Sequence, residues 1–284
     1  MAQIFSYNDK AAATIPPRAA DSHKGTFGRV LVIAGSYGMA GAAFFAAMAA
    51  YRTGAGLVEI VSPEENRVIL QTLVPEALFS PLGSQEELVR AIGRADAIVI
   101  GPGLGKSRRG LEAVQLTLTE AHVPLIVDAD ALNLLAENPH LWRERTDTPC
   151  LITPHMGEMA RLTRLSIADV KANAEGVARE FANEQGVICV LKDAHTLVAA
   201  PHTDRIYRNG TACSGLATGG SGDVLAGMLG ALCAAGGDPF AAATLGVYLH
   251  SLAGLAASER LSEYAVTARD ILDAIPEAIR QITK

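Results

Sequence analysis

Short runs of aliphatic and β-branched residues alternate along this chain with longer stretches whose apolar positions recur every three to four residues. The runs Arg29–Ala34, Leu57–Val61, Ala97–Ile100, Leu125–Val127, Cys150–Thr153 and Val187–Leu191 have the length of strands. Ala97-Ile98-Val99-Ile100 is apolar on both faces, as a central parallel strand is. Between the runs, the helical period predicts helices over Ala42–Thr53, Glu64–Leu73, Glu86–Ile92, Arg109–Glu120, Ala131–Glu137 and Gly157–Gln185, the last broken near Ser166. This alternation predicts an α/β fold with a mainly parallel central sheet and helices on both faces. After Leu191 the pattern changes. Thr196–Ala200 and Arg205–Arg208 flank the turn Pro201-His202-Thr203-Asp204 and read as an antiparallel hairpin on the sheet edge. Helices over 223–235, 239–257 and 267–281 complete the pattern. Residues 1–24, with Pro16 and Pro17, are polar and read as a lead-in. Without a linker or repeat, residues 1–284 read as one domain.

Composition narrows the function classes. Residues of hydrophobic type make up 49% of the chain and charged residues only 19%, so a large core can be buried and disorder is excluded. Aromatics are 5% and the net charge is −6, which argues against nucleic acid as the main partner. A local cluster of N–H groups can still bind a phosphate on an acidic protein. Cys150, Cys189, Cys213 and Cys233 are widely spaced, with no C-x-x-C pair, and read as reduced thiols rather than zinc ligands. No basic region precedes an apolar run at the N-terminus, so no secretory signal is expected. The apolar stretch Ala241 to Ala257 is too short to span a bilayer and contains His250 and Ser251, so it reads as a buried helix. The expectation is a cytoplasmic protein that does not bind membranes.

The most informative segment is Thr218-Gly219-Gly220-Ser221-Gly222-Asp223, which opens a helix. Glycines let the backbone curl, and the helix start adds unpaired N–H groups and the positive end of its dipole, which together suit a phosphate. A positive φ is expected at Gly222. Asp223 would repel phosphate, so its place there points to accepting a proton from a hydroxyl that attacks the phosphorus. The plain alternative is a helix cap.

Ligands of open α/β sheets bind beyond the carboxyl ends of the strands, and the unusual residues gather there. Strand Arg29–Ala34 ends in Gly35-Ser36, Gly38 and Ala40-Gly41-Ala42-Ala43, small residues that either admit a ligand or pack a helix closely. Gly101-Pro102-Gly103-Leu104-Gly105 lacks the G-x-G-x-x-G register of dinucleotide dehydrogenases. Asp128-Ala129-Asp130-Ala131-Leu132-Asn133 offers Asp130 as a helix cap and Asp128 and Asn133 for a substrate or cation-bound water. In Thr153-Pro154-His155-Met156-Gly157-Glu158, His155 and Glu158 share a helix face. Glu158 either holds water on Mg²⁺ or simply complements the helix dipole. Lys192 closes an apolar strand and is placed to meet a nucleotide phosphate or to be solvated.

The ordered set of these segments resembles the ribokinase-like superfamily and, within it, the ADP- or ATP-dependent NAD(P)H-hydrate dehydratases. The matching stretches are Lys24-Gly25-Thr26-Phe27-Gly28, Ala40-Gly41-Ala42-Ala43, Arg52-Thr53-Gly54-Ala55-Gly56-Leu57-Val58, Gly101–Gly105, Asp128–Asn133, Thr153–Glu158 and Gly219–Asp223. The resemblance implies a repair lyase that removes water from hydrated NADH or NADPH by transient phosphorylation of the C6 hydroxyl. Asp223 would be the base. The N–H groups of Gly220, Ser221 and Gly222 would hold the phosphoryl. Ala42, Gly103, Gly105, His155 and Asp223 would contact the hydrate, and Lys192, Asp193, Ala194, His195, Thr196 and Gly222 the nucleotide.

One departure is Asp193, where the family commonly has glycine. The resemblance also implies ADP as co-substrate giving AMP, Mg²⁺ held indirectly by Glu158, a homo-oligomer of the tetrameric kind, and a separate chain that epimerises R and S hydrates. Two alternatives stand beside it. One is a kinase of the same fold acting on a hydroxymethyl vitamin precursor, and the other a nucleotide sensor without turnover.

Overall fold

A computed structural model describes residues 3–7, 15 and 18–283. Among the described residues ten strands form one sheet in the order β1-β10-β9-β8-β7-β6-β5-β2-β3-β4. They are β1 Gln3–Phe5, β2 Arg29–Ile33, β3 Leu57–Ser62, β4 Leu78–Pro81, β5 Ala97–Ile100, β6 Leu125–Val127, β7 Cys150–Ile152, β8 Ile188–Leu191, β9 Leu197–Ala199 and β10 Arg205–Arg208. From β8 to β4 all neighbours run parallel, while β9 pairs antiparallel with both β8 and β10. Because β2 pairs with β3 on one side and β5 on the other, chain order reverses between β2 and β5. That is the switch point where open sheets place ligands.

Eleven described helices flank the sheet: α1 Ala40–Thr53, α2 Arg67–Leu73, α3 Gln85–Ile92, α4 Arg108–Glu120, α5 Ala129–Glu137, α6 Met156–Thr163, α7 Ile167–Ala172, α8 Ala174–Gln185, α9 Ser221–Ala234, α10 Pro239–Leu261 and α11 Ala268–Ile282. The period of two in the strands divides the core. Val30, Val32, Val99, Ile126, Leu151 and Val190 face α1, α9, α10 and α11. Leu31, Ile33, Ile98, Val127, Ile152 and Leu191 face α3 to α8. The abundance of Ala and Gly has a use here. A Cβ on Gly227 of α9 would lie 2.0 Å from the Ala46 carbonyl oxygen of α1, so these two helices approach nearly to backbone contact.

Several expectations are corrected. The hairpin is not the sheet edge, because β1 pairs parallel with β10; part of the lead-in is therefore sheet, while Pro16 and Pro17 lie outside the described residues. Strand β4 has no period-two signature and was not expected. The stretch 157–185 is broken twice: α6 ends at left-handed Arg164, and Ser166 and Asn173 each accept a helix N–H as fresh N-caps. Helix α10 is 23 residues long, enough to cross a membrane by length, but 83% of its most apolar window is buried inside the fold.

The stretches Lys24–Gly28 and Arg52–Val58 sit at the amino ends of β2 and β3. There the Gly56 N–H donates to the Phe27 and Gly28 carbonyls at 3.3 and 3.1 Å. They brace the end of the sheet opposite the switch-point loops.

Candidate functional site

A cavity of about 740 Å³ opens beyond the carboxyl ends of β6, β7 and β8. Its polar floor holds Asp128, Glu158, Lys192 and Asp223, and its far wall holds Asn209, Cys213, His250 and Ser251. The N-terminus of α9 points into it. Gly220, at φ +90°, turns the chain into the helix, and a Cβ there would lie 2.9 Å from the Phe45 ring. Gly220 thus carries the positive φ, and the expectation of one at Gly222 is corrected: Gly222 is helical. What the missing side chain of Gly222 leaves is space, since a Cβ would sit 3.3 Å from Lys192 Nζ. The Ser221 N–H is used by the Thr218 carbonyl at 3.3 Å, while those of Gly222 and Asp223 have no partner among the described residues. Those two N–H groups, and that of Gly220, which likewise has no partner among the described residues, are open to an anion.

Lys192 Nζ donates to Asp128 Oδ1 at 2.8 Å and lies 4.0 Å from Glu158 Oε2. Burial pulls its pKa down, but Asp128, Glu158 and Asp223 together outweigh burial and hold it above the usual lysine value. Burial, with repulsion from Asp128, pushes Asp223 up to about 7, although Lys192 pulls against both. Glu158 is raised by burial, again opposed by Lys192. A carboxyl poised near neutrality beside free N–H groups is suited to take a proton at physiological pH.

His155 and Glu158 form a capping box at the start of α6. His155 Nδ1 accepts from the Gly157 and Glu158 N–H groups at 2.9 and 3.3 Å, and the His155 N–H donates to Glu158 Oε2 at 2.8 Å. Burial, helped by Lys192 and Arg161, lowers the His155 pKa, which keeps the ring a neutral acceptor. Asp130 does not cap α5. Its Oδ2 instead accepts the Gly105 N–H at 2.8 Å, tying the glycine turn after β5 to α5. Ala129, at φ +49°, makes the tight turn between Asp128 in the cavity and Asp130 on that turn. Asn133 bonds Asp130 and accepts from Arg161 Nε at 2.8 Å.

The remaining expected residues fall in two places. Lys192, Asp193, Ala194, Thr196, Ser221, Gly222 and Asp223 line the cavity with His155 and Glu158. His195 does not; it is exposed and its Nδ1 lies 3.0 Å from the Asn209 carbonyl. Ala42, Gly103 and Gly105 gather at the β2–β5 switch point. A Cβ on Gly103 would lie 2.7 Å from that of Ala42, and Ser36 Oγ donates to the Gly103 carbonyl at 2.8 Å. Asp130 joins this crevice to the cavity.

The sequence reading missed Asn209 and His250 as cavity residues. Buried Asn209 donates to Ser251 Oγ and to the Thr211 carbonyl, both at 2.7 Å. Among the described residues no group of three or more His, Cys, Asp or Glu side chains is arranged to hold a metal directly.

A mainly parallel sheet, a glycine turn that opens a helix, and a half-buried carboxyl in its first turn define the ribokinase-like class. The chain belongs to the NAD(P)H-hydrate dehydratase family, whose model matches residues 30–277. It is 37% identical over 94% of its length to the bifunctional NAD(P)H-hydrate repair enzyme Nnr of Moorella thermoacetica, covering 52% of that protein. The chain spans about half the length of the bifunctional relatives it matches. It is 38% identical to the ADP-dependent (S)-NAD(P)H-hydrate dehydratase of Neisseria meningitidis, covering 92% of this chain and 90% of that one. A crystal structure of the ADP/ATP-dependent NAD(P)H-hydrate dehydratase from Bacillus subtilis, co-crystallized with ATP/Mg²⁺, superposes with a TM-score of 0.84. It is 32% identical and covers 96% of each chain.

Proposed function

We propose that this chain is a cytoplasmic enzyme that dehydrates the S form of hydrated NADH or NADPH, converting ADP to AMP and phosphate. The carrying observation is Asp223, raised to about 7 and set beside the unpartnered N–H groups of Gly222 and Asp223. The cavity takes the nucleotide, with its terminal phosphoryl at the start of α9. The hydrate lies along the crevice of Ala42, Gly103 and Gly105. Asp223 accepts the proton of the C6 hydroxyl as its oxygen bonds the terminal phosphorus, and the anhydride bond breaks to release AMP. Loss of the C5 proton and of phosphate, with its C6–O bond, restores the double bond. Lys192 offsets charge on the nucleotide. Its ion pair with Asp128 keeps the ammonium at the cavity wall.

The carboxylates Asp128, Glu158 and Asp223 outnumber Lys192, an excess that suits a Mg²⁺ ion arriving on the nucleotide's phosphates. The ion would neutralise phosphate charge, with Glu158 reaching it through water. Epimerisation of the hydrates belongs to another chain in this reading. The competing kinase reading leaves a phosphorylated product and regenerates no reduced nicotinamide. The test is hydrated NADH with ADP and Mg²⁺, followed by recovery of the reduced-nicotinamide absorbance. Recovery that needs nucleotide supports the proposal, and its absence refutes it.

A further inference from the structure

Helix α10 is apolar over most of its 23 residues, yet it buries His250 and Ser251 against the cavity. Neither is needed to cover the sheet. His250 Nε2 lies 3.0 Å from the backbone carbonyl oxygen of Ser221 and 3.2 Å from Ser221 Oγ. A carbonyl oxygen only accepts, so the proton sits on Nε2 and the ring is the Nε2–H tautomer. Burial lowers the His250 pKa to about 4, which keeps the ring neutral throughout the working range. Ser221 Oγ, facing the same N–H, is then an acceptor toward His250 and has its own proton to give elsewhere. Ser221 is the first residue of α9 and lines the cavity between the Gly220 turn and Gly222. Its neighbour in α10, Ser251, accepts from Asn209. One polar pair on an apolar helix therefore grips two walls of the cavity.

We infer that His250 is a positioning residue for phosphoryl transfer, fixing the first turn of α9 through Ser221 and turning the Ser221 hydroxyl proton toward the transferring phosphoryl. The inference rests on the proposed dehydratase reading. The phosphoryl is gripped by a turn that must stay in place as the phosphorus moves from donor to acceptor oxygen, and displacements of about 1 Å at such a point cost on the order of 10²-fold in rate. His250 acts on the transferring phosphoryl only through Ser221. Its loss therefore shows in kcat more than in the nucleotide KM.

The experiment compares His250→Phe, which keeps a ring of similar size without a donor, with His250→Gln, whose amide restores one. Each is measured for melting temperature, kcat and nucleotide KM with hydrated NADH and ADP. Expected is a drop in kcat of roughly 10- to 10²-fold in His250→Phe, a smaller change in KM, and recovery of most of the rate in His250→Gln. A folded His250→Phe enzyme with wild-type kcat, or a Gln variant as slow as the Phe variant, overturns the inference. If His250→Phe does not fold, Ser221→Ala carries the test, since it keeps the backbone carbonyl and removes only the hydroxyl. A wild-type kcat in that variant overturns the role given to the hydroxyl. Wild-type protein without any hydrate turnover refutes the dehydratase reading instead, which separates the two failures.

Discussion

Replacing Asp223 with Asn keeps the shape of the side chain and removes its charge and its proton-accepting ability. Two consequences follow with opposite signs. For catalysis, a group titrating at about 7 is roughly one-tenth ionised at pH 6 and about nine-tenths ionised at pH 8, so kcat/KM of the native enzyme rises about tenfold across that interval. Asp223→Asn removes that limb and lowers kcat by roughly 10²- to 10⁴-fold, the span of general-base catalysis. For stability, the folded-state pKa lies above the ordinary value of 3.8. Between those two values the unfolded chain has lost a proton that the folded one keeps, so stability falls as pH rises through the window. At pH 8 the accumulated penalty is on the order of 4 kcal/mol. Asp223→Asn should therefore melt higher than the native protein at pH 8, and the gain should vanish near pH 4. The assay pairs pH–rate profiles with melting curves at both pH values. A variant of near-native rate, or one that gains no stability at pH 8, refutes the placing of a half-buried, charged base at this position.

Three further outcomes are expected. Lys192→Met removes the cation that holds Asp223 down, so the rising limb of the kcat/KM profile moves to higher pH; an unmoved limb contradicts the coupling between the two groups. Gly222→Val introduces a β-branched side chain 3.3 Å from Lys192 Nζ at its first carbon, and titration calorimetry should show weakened ADP binding in a protein that melts normally. Gly220→Ala combines φ +90° with a collision against Phe45 and should cost about 1–3 kcal/mol in chemical denaturation. Gly219→Ala, which points into open space, should cost far less; equal losses would contradict this account of the turn.

The parallel strands and the loops at their carboxyl ends were legible because each follows from local pattern: an apolar run, then glycine, then a helical period. The place of Asp223 at the cavity was legible for the same reason, since it follows from six consecutive residues. What escaped is nonlocal. His250 and Ser221 are 29 positions apart, and only the packing of α10 beside α9 makes one a partner of the other. Asp130 has the sequence position of a cap, but the left-handed turn at Ala129 sends it to Gly105 instead. His155 was read as a face-sharing partner of Glu158, whereas its extended backbone makes it the N-cap that binds two helix N–H groups. Strands β1 and β4 are three and four residues long, no shorter than β6 and β5, but Gln3-Ile4-Phe5 and Leu78-Phe79-Ser80-Pro81 lack the continuous apolar run that marks those central strands. They exist because neighbouring strands offer free edges.

The central claim is a dehydration driven by phosphoryl transfer, and the balance of products tests it most directly. Purified chain is incubated with S-hydrated NADH, ADP and Mg²⁺, and NADH, AMP, phosphate and any phosphorylated organic product are quantified together. The account predicts NADH, AMP and free phosphate in equal amounts with no phosphorylated product accumulating, and little turnover when ATP replaces ADP. A stable phosphorylated product without regenerated NADH would contradict the dehydratase and favour the kinase, while equal turnover with ATP would contradict only the choice of nucleotide.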